Sequence, residues 1–353
     1  MKIRLALLEK DQSYLNRIVS AFSTKYADKF EIYSFTDPGV ALATLDDSKI
    51  DVLVAAEAFE IDVTALPKRC GFAYFVDYAD VETVRDQRTI CKFQKIDQIY
   101  KQILSIYSEN AGNVSGLKFG DESCNIIAFM SPCGGVGTSS AAAACALRFA
   151  AQGKKTLYLN LEKFGSADAF FSADGQFDMS DVIFALKSKK TNLSLKLESC
   201  VKQDSRGVYF YSRSKIALDM LELGNEEVIR LISEARISGG YSCIVIDLDF
   251  GMDKNTLKIL RHSQAIVWVG DGSDLSNLKI VRAHQALSAL EQREESMLIS
   301  QINLVYNKFS SKTGKTVTDV EIKTAGGAPR FEYASTEQVL KQLSSMEMFD
   351  KIC

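Results

Sequence analysis

The sequence predicts an α/β protein with two doubly wound domains, each built around a mostly parallel sheet. Three observations lead to this fold class. Short apolar runs of buried-strand length alternate with amphipathic segments of helix length along most of the chain. The alternation is interrupted once, in a polar segment, and starts again with a strand and a glycine-rich loop. A chain of 353 residues is also long for a single hydrophobic core, which favours two domains.

The first domain is predicted to cover residues 1–110. Five apolar runs have the length of buried strands: IRLALL (3–8), FEIYSF (30–35), VLVAA (52–56), FAYFV (72–76) and TICKF (89–93). Amphipathic segments predict helices at residues 14–26, 38–47 and 96–108. Strands with intervening helices indicate a small flavodoxin-like domain.

Residues 111–123 are predicted to be a linker, because they are polar and glycine-containing and have no apolar period. The second domain follows at residues 124–353. Its predicted strands are NIIAFM (125–130), TLYLNL (156–161), VYFYS (208–212), CIVIDL (243–248), AIVWVG (265–270) and ISQINLVYN (299–307). Helices are predicted from the glycine loop to Gly153, at 225–238 and at 275–292.

Composition excludes several classes of protein. A net charge of −3 provides no basic body, so strong nucleic-acid binding is not expected. Eight scattered cysteines without a CxxC pair, together with two histidines, argue against a zinc site and a disulfide framework. The sequence shows neither a signal-peptide pattern nor a stretch of membrane-spanning length, so we expect a cytoplasmic protein with reduced thiols and no transmembrane segment.

The stretch SPCGGVGTSS (131–140) has the parts of a phosphate-binding loop: a strand before it, a glycine turn, and a helix N-terminus whose free N–H groups can bind an anion. Ser139 occupies the position whose hydroxyl binds Mg²⁺ in the pattern GxxxxGK[ST]. Pro132 replaces the first glycine of that pattern, and Thr138 replaces its lysine. On its own, so degenerate a match is equally compatible with a glycine turn that binds nothing.

Further signals lie at the carboxyl ends of predicted strands, which is where ligands bind in open α/β sheets. Asp247 ends the strand in IVIDLDFG and suits a carboxylate that holds Mg²⁺ through water. Asn160 and Glu162 end the strand that follows the loop. Asn307, in LVYNK, carries an amide able to pair with adenine. Each signal is weak alone, but together and in this order they favour a nucleotide site.

In these residues the second domain resembles the MinD/ParA group of deviant Walker ATPases, which have a P-loop NTPase-like fold. The group's patterns KGGxGK[ST], DxD, hhhhD and hhhNR/K correspond here to CGGVGTS, NLE, IVIDLD and LVYNK. The segment GGAPRFEYAS (326–335) is similar to a late family segment that packs against the base.

That resemblance implies ATP and Mg²⁺ as cofactors, with the metal at Ser139 and Asp247. It implies catalytic roles for Glu162, Asn160 and Asp247 if ATP is turned over. The implied nucleotide contacts are Cys133, Gly134, Gly135, Val136, Gly137, Thr138, Ser139, Ser140, Asn307, Pro329, Arg330 and Phe331.

The first domain resembles a response-regulator receiver. Glu9 and Asp11 follow the first strand, where receivers keep metal-binding acids, and Lys92 lies where they keep a lysine. Ala56 stands where the phosphoacceptor aspartate belongs, so no acylphosphate chemistry is expected. For the neighbouring Glu57 two interpretations stay open, a mimic of a permanent charge and a solvated loop carboxylate, and the second is favoured. We therefore predict a pseudo-receiver that serves docking and dimer formation.

A pseudo-receiver joined to a MinD-like domain resembles the TadZ/CpaE proteins of Flp (Tad) pilus assembly. This resemblance implies a cytoplasmic homodimer that is placed at the cell pole and marks where the pilus machine assembles. Pilus or secretion assembly proteins are its implied partners.

Cys133 and Thr138 stand where the deviant Walker loop carries its two lysines. Losing such a cation is expected to slow phosphoryl transfer by about 10³-fold or more, because that reaction depends on charge stabilisation. Backbone amides, Ser139 and Mg²⁺ still permit binding, so we expect ATP binding with slow or absent hydrolysis. Two alternatives stay open: a scaffold that binds no nucleotide, and a working ATPase whose cation comes from Lys163 or Arg330.

The C-terminal segment 338–353 is amphipathic, and its few lysines are matched by acids. We expect it to pack on the core of the domain and not to lie on a membrane.

Overall fold

The structure is a computed structural model and describes residues 2–110, 124–188, 191–294 and 297–352. The chain divides into two compact units. The first comprises Met1–Gly116 with Lys187–Cys200, and the second comprises Leu117–Leu186 with Val201–Cys353. The predicted linker 111–123 lies outside the described residues.

The first unit is built on a six-stranded sheet. Its elements are β1 (Ile3–Leu8), α1 (Gln12–Lys25), β2 (Phe30–Phe35), α2 (Pro38–Asp47), β3 (Val52–Ala56), β4 (Gly71–Val76), β5 (Thr83–Val84), β6 (Gln87–Cys91) and α3 (Ile96–Asn110). The sheet order is β2-β1-β3-β4-β6-β5, and only the β5–β6 pair is antiparallel. Apart from the short β5, this is the flavodoxin-like order that the sequence predicts.

Two connections in this sheet differ from the prediction of intervening helices. The chain passes from β3 to β4 through a 3-10 turn, Val63–Ala65, and β5 precedes β6 without a helix. Asp62 caps the turn by accepting a hydrogen bond from the Thr64 N–H at 3.0 Å. Pro67 follows two residues after the turn, where it disfavours a longer helix because it has no N–H to donate.

The second unit is built on an eight-stranded sheet. In chain order, the elements after α3 are β7 (Asn125–Met130), α4 (Thr138–Ala151), β8 (Thr156–Asn160), α5 (Met179–Lys187), α6 (Leu193–Cys200), β9 (Lys202–Gln203), β10 (Tyr209–Phe210), α7 (Ala217–Leu221), α8 (Asn225–Ser238), β11 (Cys243–Asp247), α9 (Lys254–Leu260), β12 (Ala265–Gly270), α10 (Asp274–Glu294), β13 (Ile302–Phe309), β14 (Lys323–Pro329) and α11 (Thr336–Ser344). The order is β14-β13-β12-β7-β11-β8-β10-β9, antiparallel only between β10 and β9. Two doubly wound α/β domains are thus confirmed.

Helix α6 packs against α3 inside the first unit, although the sequence analysis placed it in the second domain. Tyr100 donates a hydrogen bond to Glu198 at 2.7 Å, and the buried Lys196 ammonium donates to the Ser105 hydroxyl at 2.7 Å. With α6 on one side and the sheet on the other, α3 is buried on most of its faces. Hydrophobic clusters cover both faces of the first sheet.

Helix α4 lies on the second sheet along a run of small side chains. Residues 141–146, five alanines and one cysteine, are fully buried, so the helix axis can approach the strands closely. The C-terminal residues pack against both α4 and the sheet, with the Phe349 ring beside Phe129 of β7. Phe349 is fully buried, and Arg148 forms a two-bond ion pair with Asp350. The predicted core packing of the C-terminal segment is confirmed for the residues that the structure describes.

Within the described ranges, no helix is long and apolar enough to span a bilayer. The seven described cysteines are free thiols, and all except Cys91 are buried.

Lys92 pairs with two carboxylates, one of which, Glu9, lies where receivers keep a metal-binding acid. Its ammonium lies 2.8 Å from Glu9 Oε2 and 3.3 Å from Asp77 Oδ1. Burial opposes the charge on Lys92, but the hydrogen bond and charge of Glu9 outweigh it and raise the lysine's pKa. Ala56, at the phosphoacceptor position, is buried, and Glu57 is exposed, as its interpretation as a solvated carboxylate requires. In the pseudo-receiver, the Glu9 carboxylate is therefore neutralised by a lysine of the same domain.

We predict that Lys92→Met lowers the free energy of unfolding of the first unit by about 2–4 kcal/mol, because it leaves the buried Glu9 carboxylate without its cation. The double variant Glu9→Gln/Lys92→Met should recover most of that loss. Urea unfolding at pH 7 measures both. Equal losses in the single and the double variant would show that the ion pair is not the cause.

Candidate functional site

The glycine loop runs from Ser131 to Gly137, between β7 and α4. Gly135 and Gly137 have φ values of +76° and +88°, in the left-handed region that favours glycine. The Ser131 hydroxyl accepts from the Cys133 N–H at 3.0 Å and donates to the carbonyl of Val269 on β12 at 2.5 Å. The loop is thus tied to the neighbouring strand where it begins.

The end of β13 holds the loop from a second direction. Asn307 Nδ2 donates to the Val136 carbonyl at 2.8 Å, and Lys308 Nζ donates to the Gly135 carbonyl at 2.7 Å. A Cβ atom on Gly137 would lie 2.4 Å from Asn307 Nδ2, so only glycine fits there. The sequence analysis assigned Asn307 to adenine, whereas in the structure one of its N–H groups positions the loop.

A polar network lies beside the loop, at the carboxyl ends of β8 and β11. These strands are in register, with Asn160 opposite Asp247. Asp247 Oδ2 accepts from the Tyr158 hydroxyl at 2.8 Å and from Asn160 Nδ2 at 3.1 Å. Glu162 Oε2 accepts from the Ser139 hydroxyl at 3.1 Å and from Asn160 Nδ2 at 3.3 Å. The network therefore joins the first turn of α4 to both strands.

Asp247 is fully buried, and burial is the main reason that its pKa is raised to about 7. The nearby Glu162 carboxylate raises it further. Burial and the Asp247 charge also raise the pKa of Tyr158 well above its ordinary value, so the hydroxyl stays protonated as a donor. Asp247 Oδ1 has no hydrogen-bond partner among the described residues.

The unpartnered Asp247 Oδ1 indicates whether this site suits Mg²⁺. A buried carboxylate oxygen without a donor is a site that a cation or its bound water can satisfy. Among the described residues, no three His, Cys, Asp or Glu side chains are placed so that they could hold a metal ion together. Mg²⁺ does not require three such ligands, since it usually keeps several waters and binds one or two carboxylates together with substrate phosphates. Asp247 and Ser139 thus suit Mg²⁺.

Two adjoining clefts surround the loop. The larger, about 440 Å³, is lined by Ser131, Cys133, Gly134, Gly135, Gly137, Thr138, Ser139, Ser140, Glu162, Leu248, Asp249, Phe250 and Lys308. The smaller, about 310 Å³, is lined by Ser140, Asn307, Lys308, Pro329, Arg330, Phe331, Glu332 and Val339. Ser140 and Lys308 line both. One cleft is formed by the loop, and the other by the segment that the sequence analysis assigned to the base.

The structure brings most of the predicted site residues together. Three of them line neither cleft: Val136 and Asp247 are buried behind the surface, and Asn160 acts through its hydrogen bonds. Cys133 points inward, with its thiol against the Ser276 carbonyl at 3.5 Å. Lys163 is exposed and is not among the described residues that line the clefts.

Sequence reasoning missed four participants. Lys308 follows Asn307 in LVYNK, where the sequence predicts no role for it, and Tyr158 has the pattern of an ordinary buried strand residue. Asp249 lines the larger cleft and accepts from the Lys163 N–H at 2.9 Å. Gly165 is needed because a Cβ there would lie 2.3 Å from Asn160 Oδ1. The alternation of Asp247 and Asp249 in IVIDLDFG was the one available signal for Asp249.

Both units are similar to known proteins. Residues 1–108 match the family described as TadZ-like, receiver domain. A ParA family ATPase from Chlorobium tepidum TLS is 21% identical, with a TM-score of 0.51; the match covers 66% of this chain and 97% of that one. MinD from Aquifex aeolicus, in a complex with MinC, is 18% identical with a TM-score of 0.48, covering 65% and 93% of the two chains. MinD from Pyrococcus horikoshii OT3, complexed with Mg-ADP, is 15% identical with a TM-score of 0.47, covering 63% and 94%.

No curated protein matches the chain. At 21% identity, the likeness to the ParA family ATPase shows the fold of the second unit. Residues 1–108 are thus similar to a TadZ-like receiver domain, and the second unit has the P-loop NTPase-like fold of the ParA family ATPase.

Proposed function

We propose that this protein is an ATP-binding, weakly or non-hydrolysing MinD/ParA-like protein that acts as a polar localisation and assembly factor for Flp (Tad) type IV pili. The TadZ-like receiver domain supports the pilus role. A cytoplasmic homodimer whose pseudo-receiver docks onto pilus or secretion assembly proteins is part of the proposal. Fluorescent tagging in a Tad-positive host tests the polar role, and a diffuse signal would contradict it.

The observation that carries the nucleotide proposal is the backbone cradle with a buried, orphaned carboxylate oxygen beside it. Two left-handed glycines and the N-terminus of α4 form a site for phosphate. Ser139 and Asp247 would hold Mg²⁺, which supplies charge to offset the phosphate oxygens. Asn307, Pro329, Arg330 and Phe331 would enclose the base in the smaller cleft.

Slow hydrolysis follows from what surrounds the cradle. Thr138 brings no positive charge to the phosphates, and the Cys133 side chain is turned inward to a carbonyl. The Glu162 oxygen nearest the loop already accepts two hydrogen bonds, from Ser139 and Asn160, which weakens it as a base for water. Positioning without charge stabilisation supports binding better than phosphoryl transfer.

A scaffold that binds no nucleotide is the second candidate. The observation that favours it is the excess of acid around the loop, where Glu162, Asp247 and Asp249 would repel a triphosphate that arrives without a metal ion. The two candidates therefore differ most clearly in how the protein responds to ATP with and without Mg²⁺.

We predict that Mg-ATP at about 100 times its dissociation constant stabilises the protein by about 2.7 kcal/mol, seen as a thermal shift of several degrees. ATP with EDTA should give no shift, since the acidic side chains then lack a counter-ion. No shift with millimolar Mg-ATP would support the scaffold. Phosphate release at a rate typical of MinD-like enzymes would contradict slow hydrolysis.

We predict that Mg²⁺-dependent ATP binding tightens from pH 6 to pH 8. The pKa of Asp247 is raised to about 7, so below pH 7 the carboxyl is protonated and a metal ion must displace its proton. Affinity should fall about tenfold per pH unit below 7 for one displaced proton. Calorimetric titration across this range measures it. A flat profile would mean that Asp247 does not meet the metal.

We predict that Asp247→Asn abolishes the Mg-ATP shift yet stabilises the ligand-free protein at pH 8 by about 1–3 kcal/mol. Because the folded pKa lies above the unfolded one, ionising Asp247 costs stability between about pH 4 and 7, and asparagine removes that cost. An Asn oxygen can still accept from Tyr158.

Urea unfolding at pH 8 and pH 5 tests this, and the gain should shrink at pH 5. Asp249→Asn, at an exposed carboxylate, is the matched control and should give no gain. A loss of stability in Asp247→Asn at pH 8 would contradict the assigned cost of the buried charge.

A further inference from the structure

An ammonium group reaches the phosphate loop even though Thr138 has replaced the loop's own lysine. It belongs to Lys308, whose Nζ donates to the Gly135 carbonyl at 2.7 Å. Among the described residues that line the larger cleft, Lys308 is the one cationic side chain, whereas Glu162 and Asp249 are acidic.

A β-bulge brings Lys308 to this place. Pairing between β13 and β14 passes from Tyr306 opposite Gly327 to Phe309 opposite Pro329, so two residues of β13 face Ala328 alone. In a regular strand, neighbouring side chains point to opposite faces. Here Asn307 and Lys308 both reach the loop, and they bind consecutive carbonyls.

The backbone of Lys308 is strained by this arrangement. Its φ is +57°, in the left-handed region that residues other than glycine adopt at a cost. Strain of this kind is retained where the surroundings require it, and bulges of this type re-aim side chains beside active sites. The bulge thus interrupts the regular pairing of β13 with β14 and places one ammonium group at the loop.

The hydrogen-bond partner of the Lys308 ammonium does not neutralise its charge. Gly135 offers a neutral carbonyl, and no described carboxylate lies within ion-pair distance of Lys308. An ammonium group has three donors, so it can keep the carbonyl and still bind an anion. By contrast, Arg330 lines only the smaller cleft, and Lys163 lines neither in the described chain.

We propose that Lys308 supplies the phosphate-binding charge that Thr138 does not, contacting the terminal phosphate oxygens of the nucleotide while it holds Gly135. This inference rests on the proposed ATP binding. It makes Lys308 a nucleotide-binding residue that favours triphosphates over monophosphates, supplied by a strand and not by the loop itself.

The experiment measures Mg-ATP, Mg-ADP and AMP affinities of the full chain by calorimetry. Lys308→Met should weaken Mg-ATP binding by about ten- to a hundredfold and AMP binding little, because the lost contact is a charge-assisted bond to phosphate. Lys308→Arg should retain most of the affinity. The matched control is Lys312→Met, which removes the same charge from an exposed position four residues later and should change nothing.

A rescue variant distinguishes a phosphate-binding role of Lys308 from a merely structural contact with Gly135. Thr138→Lys in the Lys308→Met background restores a cation at the ordinary loop position without restoring the Gly135 contact, so recovered Mg-ATP affinity supports the proposal. Equal losses for ATP and AMP with no rescue would overturn it, as would a Lys308→Met variant that binds like Lys312→Met, or a loss confined to Lys163→Met. If the unmodified chain binds no Mg-ATP, the proposed function itself falls, and this inference with it.

Discussion

The site depends on two hydrogen bonds that reach the phosphate loop from the end of β13. Asn307 and Lys308 hold the carbonyls of Val136 and Gly135, which are consecutive in the chain. Because the C=O and N–H of one trans peptide point in opposite directions, holding these carbonyls turns the following N–H groups away from β13. Gly135 and Gly137 have positive φ angles, and this backbone conformation is compatible with both hydrogen bonds. Without these hydrogen bonds, the loop would be only a glycine turn.

Charge balance is the reason that we propose nucleotide binding with slow hydrolysis at this loop. Asp247, Glu162 and Asp249 place three carboxylates around the cradle, and Asp247 is buried, where its charge is least screened. A cation must therefore accompany any phosphate. The ammonium of Lys308 comes from a strand, already bonded to a carbonyl, and not from the first turn of α4. In our proposal this ammonium binds the terminal phosphate oxygens, while Thr138 and the inward-turned Cys133 add none of the positive charge that phosphoryl transfer needs.

Each unit departs from the sequence pattern that it resembles, at Ala56 in the first unit and at Thr138 in the second, and each contains a lysine ammonium with a defined partner. In the first unit the charge of Lys92 is neutralised by the carboxylates of Glu9 and Asp77. In the second unit Lys308 donates a hydrogen bond to a neutral carbonyl, which does not neutralise its charge. The two lysines differ in their partners. Two carboxylates neutralise the charge of Lys92, whereas the single carbonyl that Lys308 contacts leaves its charge in place.

The sequence alone determined the fold class, nearly every long strand and helix, and the loop with its two missing lysines, because periodicity and glycine spacing are local properties. It could not place α6 against α3, since Lys196 and Glu198 find their partners some ninety residues away, at Ser105 and Tyr100. It missed β14, whose Gly326 and Gly327 break the apolar pattern. Only the tertiary structure decided that Asp247 is buried with an orphaned oxygen, and that a bulge turns Lys308 onto the loop. Burial and bulges depend on which strands become neighbours, and no short stretch of sequence contains that information.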